Sequence, residues 1–213
     1  MSPPSDHPFD DLPDFDAEDD EAAFDDWGDC LAGRLLIAMP GIGDPRFERA
    51  VILMCVHSPD QAMGITVNRP VSGLSLRGVM DKLGVRKADE APDQPVLSGG
   101  PVERERGFVL HTDDYETLDA TLPIGGGVSL TATREIIEAI DDSERRPHHA
   151  TLALGCAQWA PGQLEQELAE NVWLAADPDL SIIFDEAHDT KWSRALAKLG
   201  VTADRLSGQS GRA

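Results

Sequence analysis

Hydrophobic positions fall along this chain in two rhythms. Short unbroken apolar runs come first: RLLIAMP (34–40), AVILMCVHS (50–58) and MGITVNRP (63–70), separated by GIGDPRFERA and SPDQA. Apolar runs of this length, bounded by Pro, Gly, Asp and Ser, read as buried strands. The rhythm then changes. Leu76, Val79, Met80 and Leu83 recur every three or four positions and Gly84 follows, which predicts a helix over 74–84 with a glycine stop. Further strands are expected at 95–102 and 106–112 around a Gly-Gly-Pro turn, and at 127–132, 148–157 and 180–185. Helices are expected at 133–142 with Thr133 as N-cap, from Pro161 onward, and at 189–200 with Asp189 or Thr190 as cap and Gly200 as stop.

This makes about seven strands and four helices. The first strands follow one another with no helix between them. The pattern therefore favours one α+β domain with a mixed or mostly antiparallel sheet over a doubly wound βα repeat. Residues 1–28 stand apart. They are rich in Asp and Pro, with Phe9, Leu12, Phe15, Phe24 and Trp27 widely spaced. Like charges repel and so few apolar groups cannot offset chain entropy, so a disordered acidic tail is expected there, ahead of a domain over 29–213.

Charge narrows the function classes. The chain has 213 residues and a formal net charge of -21, and residues 1–30 alone hold 12 acidic side chains and no Lys or Arg. Direct DNA binding by phosphate neutralisation is disfavoured. The tail has no apolar core of a signal peptide, and no run approaches the roughly 18 to 20 apolar residues that span a bilayer. Three cysteines, at 30, 55 and 156, are too few for a disulfide framework and lack CxxC spacing, which points to a reducing cytoplasm and no metal or other cofactor.

Several polar groups could carry chemistry. His57 and His111 each end an apolar run, and two histidines at strand ends could meet at one sheet edge as a general base or metal pair. Asn68 and Arg69 end the strand TVNRP, and Arg104 and Arg106 lie near them if two hairpins pack together. Such an arginine cluster would suit an anion, an acidic peptide or the chain's own tail. SGGPVERERG lacks the Lys-Ser/Thr of a phosphate loop, so its two glycines are expected to serve a hairpin turn with positive φ. His148–His149 and DEAHD (185–189) resemble metal sites in composition only and are expected to be solvated loops.

The stretch LGCAQWAPGQLEQEL (154–168) admits two readings. Cys156 could be a nucleophile activated by the dipole of the helix that follows. Alternatively the stretch is a helix start, with Ala160 as N-cap, Pro161 at N1, Gln163 reaching back to the cap, and Trp159 stapled to Leu164. The second reading makes Cys156 a small buried hydrophobe.

Four blocks in order, LAGRLLIAMPGIGDPRFERAVILMCVHSPDQAMGITVNRP, PVLSGGPVERERGFVLH, LGCAQWAPGQLEQELAENVWL and LSIIFD, together with the ending GRA, resemble the YqgE/AlgH family from Leu31 to Ala213. The resemblance implies a small soluble bacterial protein with an α+β fold and no established biochemical activity. One branch of that family carries a name tied to regulation of alginate synthesis, which would suggest a transcriptional regulator. No catalytic residue carries over. Relatives commonly have Tyr where this chain has Cys156, and a required thiolate could not be so replaced. The function classes that remain are a non-enzymatic binding or regulatory protein with a protein partner, a hydrolase-like enzyme using His57 or His111, and a transcriptional regulator.

Overall fold

A computed structural model describes residues 30–85, 91–118, 120–202 and 206. The tail expected over 1–28 and the GRA ending lie outside them. The chain opens with β1 (Leu35–Ala38), β2 (Val51–His57) and β3 (Ala62–Thr66), then β4 (Pro70–Ser75) running directly into α1 (Leu76–Leu83). Next come β5 (Pro95–Ser98), β6 (Val102–Thr112), β7 (Thr121–Gly125), β8 (Val128–Thr131) and α2 (Arg134–Ile140). The last part holds β9 (Ala150–Trp159), α3 (Gln163–Ala169), β10 (Trp173–Ala176), α4 (Leu180–Phe184) and α5 (His188–Lys198).

The strands form one ten-stranded sheet with a main path β10-β1-β2-β3-β9-β6-β8-β7, with β5 paired to β9 and β4 to β5. Every pair is antiparallel except β5 with β9. The sheet curls. Its far strand β7 comes back toward the start of the body, where a Cβ on Gly33 would lie 2.9 Å from the Ile124 carbonyl oxygen. The α+β class and the mostly antiparallel sheet agree with the sequence pattern, while the described residues contain ten strands and five α-helices rather than seven and four.

The unbroken apolar runs have a physical cause. In β1, Leu35 and Ile37 face one core while Leu36 and Ala38 face another, and in β2 Val51, Leu53 and Cys55 alternate in the same way with Ile52 and Met54. A strand covered on both faces carries no polar alternation. One face of the sheet bears a core drawn from nearly every strand and closed by Ile182 and Ile183 of α4 and Trp192, Ala195 and Leu196 of α5. The opposite face is covered in two places, by α1 and α2 over β5, β6 and β9, and by Leu164 of α3 with Trp159 and Trp173 over β1 and β2.

Four local expectations change. The run 180–185 is the helix α4, started by Asp179, whose carboxylate accepts from the Ser181 N–H at 3.0 Å and the Ser181 hydroxyl at 2.7 Å. The helix expected from Pro161 is short. Asn171 takes a left-handed φ of 57°, and the chain then extends into β10. The N-cap of α3 is Gly162, at φ 73°, rather than Ala160, although the Gln163 side chain does reach back to the Ala160 N–H at 3.0 Å. For α5 the cap position is Ala187 rather than Asp189 or Thr190. Thr133 does stand at the α2 cap position, but without a side-chain hydrogen bond to the helix.

The Gly-Gly-Pro link also differs from the hairpin expected. β5 and β6 do not pair with each other; both lie against β9. Neither Gly99 nor Gly100 is among the positive-φ residues. They are needed for close approach instead: a Cβ on Gly99 would fall 2.1 Å from the Gly155 carbonyl oxygen, and one on Gly100 would fall 2.1 Å from the Cys156 carbonyl carbon. Just beyond, residues 103–106 of β6 bulge out opposite Gly155 alone, with Glu103 at φ 49°.

Candidate functional site

The two histidines do not meet. His57 pairs with Ala62 of β3, which pairs with Trp159 at the end of β9, whereas His111 pairs with Ala150 at its start. Nine steps of strand separate those rows, about 30 Å at 3.3 Å per residue.

Each histidine is bound into the fold. His57 accepts the Leu31 N–H on Nδ1 at 3.1 Å, and its Nε2 lies 2.8 Å from Oε1 of Glu165 in α3. His111 is fully buried. Its Nδ1 lies 2.8 Å from the Thr112 carbonyl oxygen, its Nε2 lies 2.9 Å from the Thr131 hydroxyl, and Tyr115 meets its ring edge-on. Desolvation pulls its pKa below the ordinary histidine value, so the ring is held neutral.

The polar residues at the end of TVNRP hold the backbone of the β2 approach. Asn68 accepts from the Val51 N–H at 2.9 Å and donates to the Arg49 carbonyl at 2.9 Å, and Arg69 donates to the Glu48 carbonyl. Arg49 itself has a φ of 53°, and its guanidinium sits over the Trp192 ring. Arg106 pairs with Glu103 at 2.8 Å and lies over Phe108, while Arg104 is exposed on the bulge. Arg69 and Arg106 thus have separate local partners rather than one shared site.

Cys156 is fully buried, and burial raises its thiol pKa to about 11. Cys55 is buried and shifted upward for the same reason. Neither meets the condition for a reactive thiolate. The stretch around Cys156 serves the helix start instead. Trp159 and Leu164 lie in the same core, and Glu167 Oε2 accepts from the indole N–H of Trp159 at 2.9 Å and of Trp173 at 2.7 Å. His148 pairs with Asp114 at 2.6 Å and His149 stacks on Phe184. Among the described residues no group of three His, Cys, Asp or Glu is arranged to hold a metal ion.

Sequence reasoning missed two features. Lys191 of α5 is fully buried, donating to the carbonyls of Val67 at 3.0 Å and Ile183 at 2.9 Å with the Asp185 carboxylate 4.0 Å away. Desolvation lowers its pKa to about 8. It ties α4 and α5 to the end of β3. DEAHD is solvated as expected at Glu186, Ala187 and Asp189, while its other two residues are tied into the fold. Asp185 binds Arg194, and His188 opens α5 with both ring nitrogens shielded from solvent. The second feature is an open groove of about 400 Å³ between β4 and β5, lined by residues 70–75 and 93–95. It exists because Pro70 pairs with Leu97 and Ser75 with Pro95, so that residues 71–74 arch over Val96 alone. β4 went unread because it runs directly into α1, and the helix expected over 74–84 took in its last two residues.

A curled, mostly antiparallel sheet centred on β9, with helices packed on both faces, makes this a mixed α+β domain. The AlgH-like family profile matches residues 35–204. The chain belongs to that family. A UPF0301 protein of Caulobacter vibrioides is 59% identical over 189 residues, covering 89% of this chain and 97% of that one. A UPF0301 protein of Methylocella silvestris is 49% identical over 193 residues, covering 87% and 93%. The solution structure of the AlgH protein from Pseudomonas aeruginosa superimposes with a TM-score of 0.67 at 36% identity, covering 87% of this chain and 97% of that one. A crystal structure from Corynebacterium diphtheriae shares the fold, with a TM-score of 0.68 at 19% identity over 83% and 91% of the two chains. No helix of the described residues is long and apolar enough to cross a membrane.

Proposed function

We propose that this chain is a cytoplasmic, non-enzymatic binding or regulatory protein that works through contacts with another protein. The observation that carries this reading is the state of its histidines, whose ring nitrogens at 57 and 111 are all bonded within the fold. A general base needs a free nitrogen in a cleft that a substrate can enter. The groove between β4 and β5 is open, and its exposed polar groups are Ser72 and Asp93. Val71 and Leu74 give it half-buried apolar surface that a partner could cover. Exposed Arg104 is the remaining candidate contact for an acidic partner. Three free cysteines suit a reducing compartment. A net charge of -21 opposes direct contact with DNA.

The hydrolase-like alternative has one observation in its favour. The His57–Glu165 pair has the carboxylate–imidazole geometry that orients a general base. The Leu31 N–H occupies the other nitrogen and would have to leave first. The test has two arms. Tagged full-length chain, with and without residues 1–28 and with Leu74→Asp, is used to capture partners from the native cell, and each partner is then rebound in purified form. A purified partner lost with Leu74→Asp supports the proposal. Turnover of an ester, peptide or phosphoester reporter that His57→Gln or His111→Gln abolishes in a folded protein overturns it.

A further inference from the structure

His57 stands where the N-terminal segment joins the body. Three elements meet on it: the last residue of β2, the chain at Cys30–Leu31, and Glu165 of α3. Its side chain is only 9% exposed, against 52% for Glu165. The hydrogen bonds set its tautomer. A main-chain N–H points at Nδ1 from 3.1 Å, so Nδ1 holds the lone pair and the proton sits on Nε2, donated to Glu165 at 2.8 Å. The neutral ring satisfies both neighbours. A second proton can only go to Nδ1, and there it would face the Leu31 N–H, donor against donor. The same proton turns the Nε2–Glu165 contact into a charge-assisted bond, which keeps the ring in place.

We propose that His57 is a proton-operated latch: neutral, it holds the start of the folded body at Leu31; protonated, it stays with Glu165 and releases Leu31. Among the described residues, the charged group facing the ring is Glu165 and the other titratable group is Cys30, whose thiol donates to the His57 carbonyl at 3.7 Å. The turn beside it adds the exposed carboxylate of Asp60 to the uncharged Ser58 and Gln61, which bond to each other. Opening stops short of the sheet. The Gly33 N–H donates to the Met54 carbonyl at 2.8 Å, and the Met54 N–H donates to the Arg34 carbonyl at 2.9 Å. What the latch moves is therefore the chain at Cys30–Leu31, ahead of Gly33 and β1. The inference does not depend on the function proposed above.

The test is nitrogen-15 NMR on the full chain from about pH 8 to about pH 5, the range in which histidines change charge. At the alkaline end the ring should show the Nε2–H tautomer and the Leu31 amide should be protected. On acidification the Leu31 resonance should move with the same midpoint as the His57 ring. Its exchange, corrected for intrinsic pH dependence, should rise about tenfold, the value of one lost hydrogen bond. His57→Gln offers the same acceptor and donor without titrating, so Leu31 should stay protected throughout. An Nδ1–H tautomer at the alkaline end would overturn the proposal. So would Leu31 protection that does not change through the His57 midpoint, or the same loss of protection in His57→Gln.

Discussion

Replacing Lys191 with Met isolates the buried ammonium, because Met keeps most of the apolar stem. The fall of the lysine pKa from 10.5 to about 8 means that holding the charge in the fold costs about 3 kcal/mol at 1.36 kcal/mol per pH unit. Against this, the ammonium donates to the Val67 and Ile183 carbonyls, and leaving those unpaired costs about 1–3 kcal/mol each. At pH 7 the terms nearly offset, so Lys191→Met should change stability by no more than about 3 kcal/mol. The pH dependence is sharper. Because the folded value lies below the unfolded one, unfolding takes up a proton between pH 8 and 10.5, and stability rises with pH across that window. The wild type should therefore gain up to about 3 kcal/mol over Lys191→Met between pH 7 and pH 11. Other groups, including the buried thiols, titrate in both proteins and cancel in the difference. Urea unfolding followed by tryptophan fluorescence at several pH values measures it. A difference that stays flat across the window refutes the reasoning and means that Lys191 keeps an ordinary pKa.

Gly100→Ala should cost more than about 3 kcal/mol or prevent folding, since its Cβ would meet the β9 backbone at 2.1 Å; a near-wild-type urea midpoint would contradict the close approach. Glu167→Ala strips the acceptor from two indoles at once and should cost about 2–3 kcal/mol, read as a shifted midpoint and a changed tryptophan spectrum. Because burial holds His111 neutral with a lowered pKa, its contribution is complete above the unfolded value near 6.5 and is lost as pH falls through the folded value; His111→Gln should flatten that acid slope. Cys156 should resist thiol reagents at neutral pH in the native protein and react only on unfolding, as mass spectrometry of labelled peptides can show.

What the sequence conveyed was local. The runs at 34–40 and 50–58 announced strands covered on both faces, and Gly84 and Gly200, both in the left-handed region, marked the helix ends. Ser75, which falls inside the helix expected over 74–84, is instead its cap, its hydroxyl accepting from the Gly78 N–H at 3.3 Å. The run LSIIFD was ambiguous by nature, since a short apolar stretch fits a strand or a buried helix turn, and the signal that decided it was Asp179 two positions before Ser181. The site features were illegible because they are long-range. Glu165 reaches His57 across 108 positions, and Lys191 reaches Val67 across 124. Composition flagged Gly99 and Gly100 correctly as special. Their cause, however, is the passage of β9 beside them, and no turn rule contains that.

The place of β9 has a consequence for how the chain acquires its shape. β3, β5 and β6 all pair with this one strand, and among the described residues the path of the sheet from β3 to β6 runs through it. The hairpins β2–β3 and β7–β8 can close from neighbouring residues soon after they are made. Their union waits for residues 150–159, by which point more than two thirds of the 213 residues have been synthesised. Until then two half-sheets present the open edges of β3 and β6, rich in backbone groups that another nascent chain could pair with. The slow step of folding is then the docking of a single late strand between two early ones, and the hazard on the ribosome is a wrong strand arriving first.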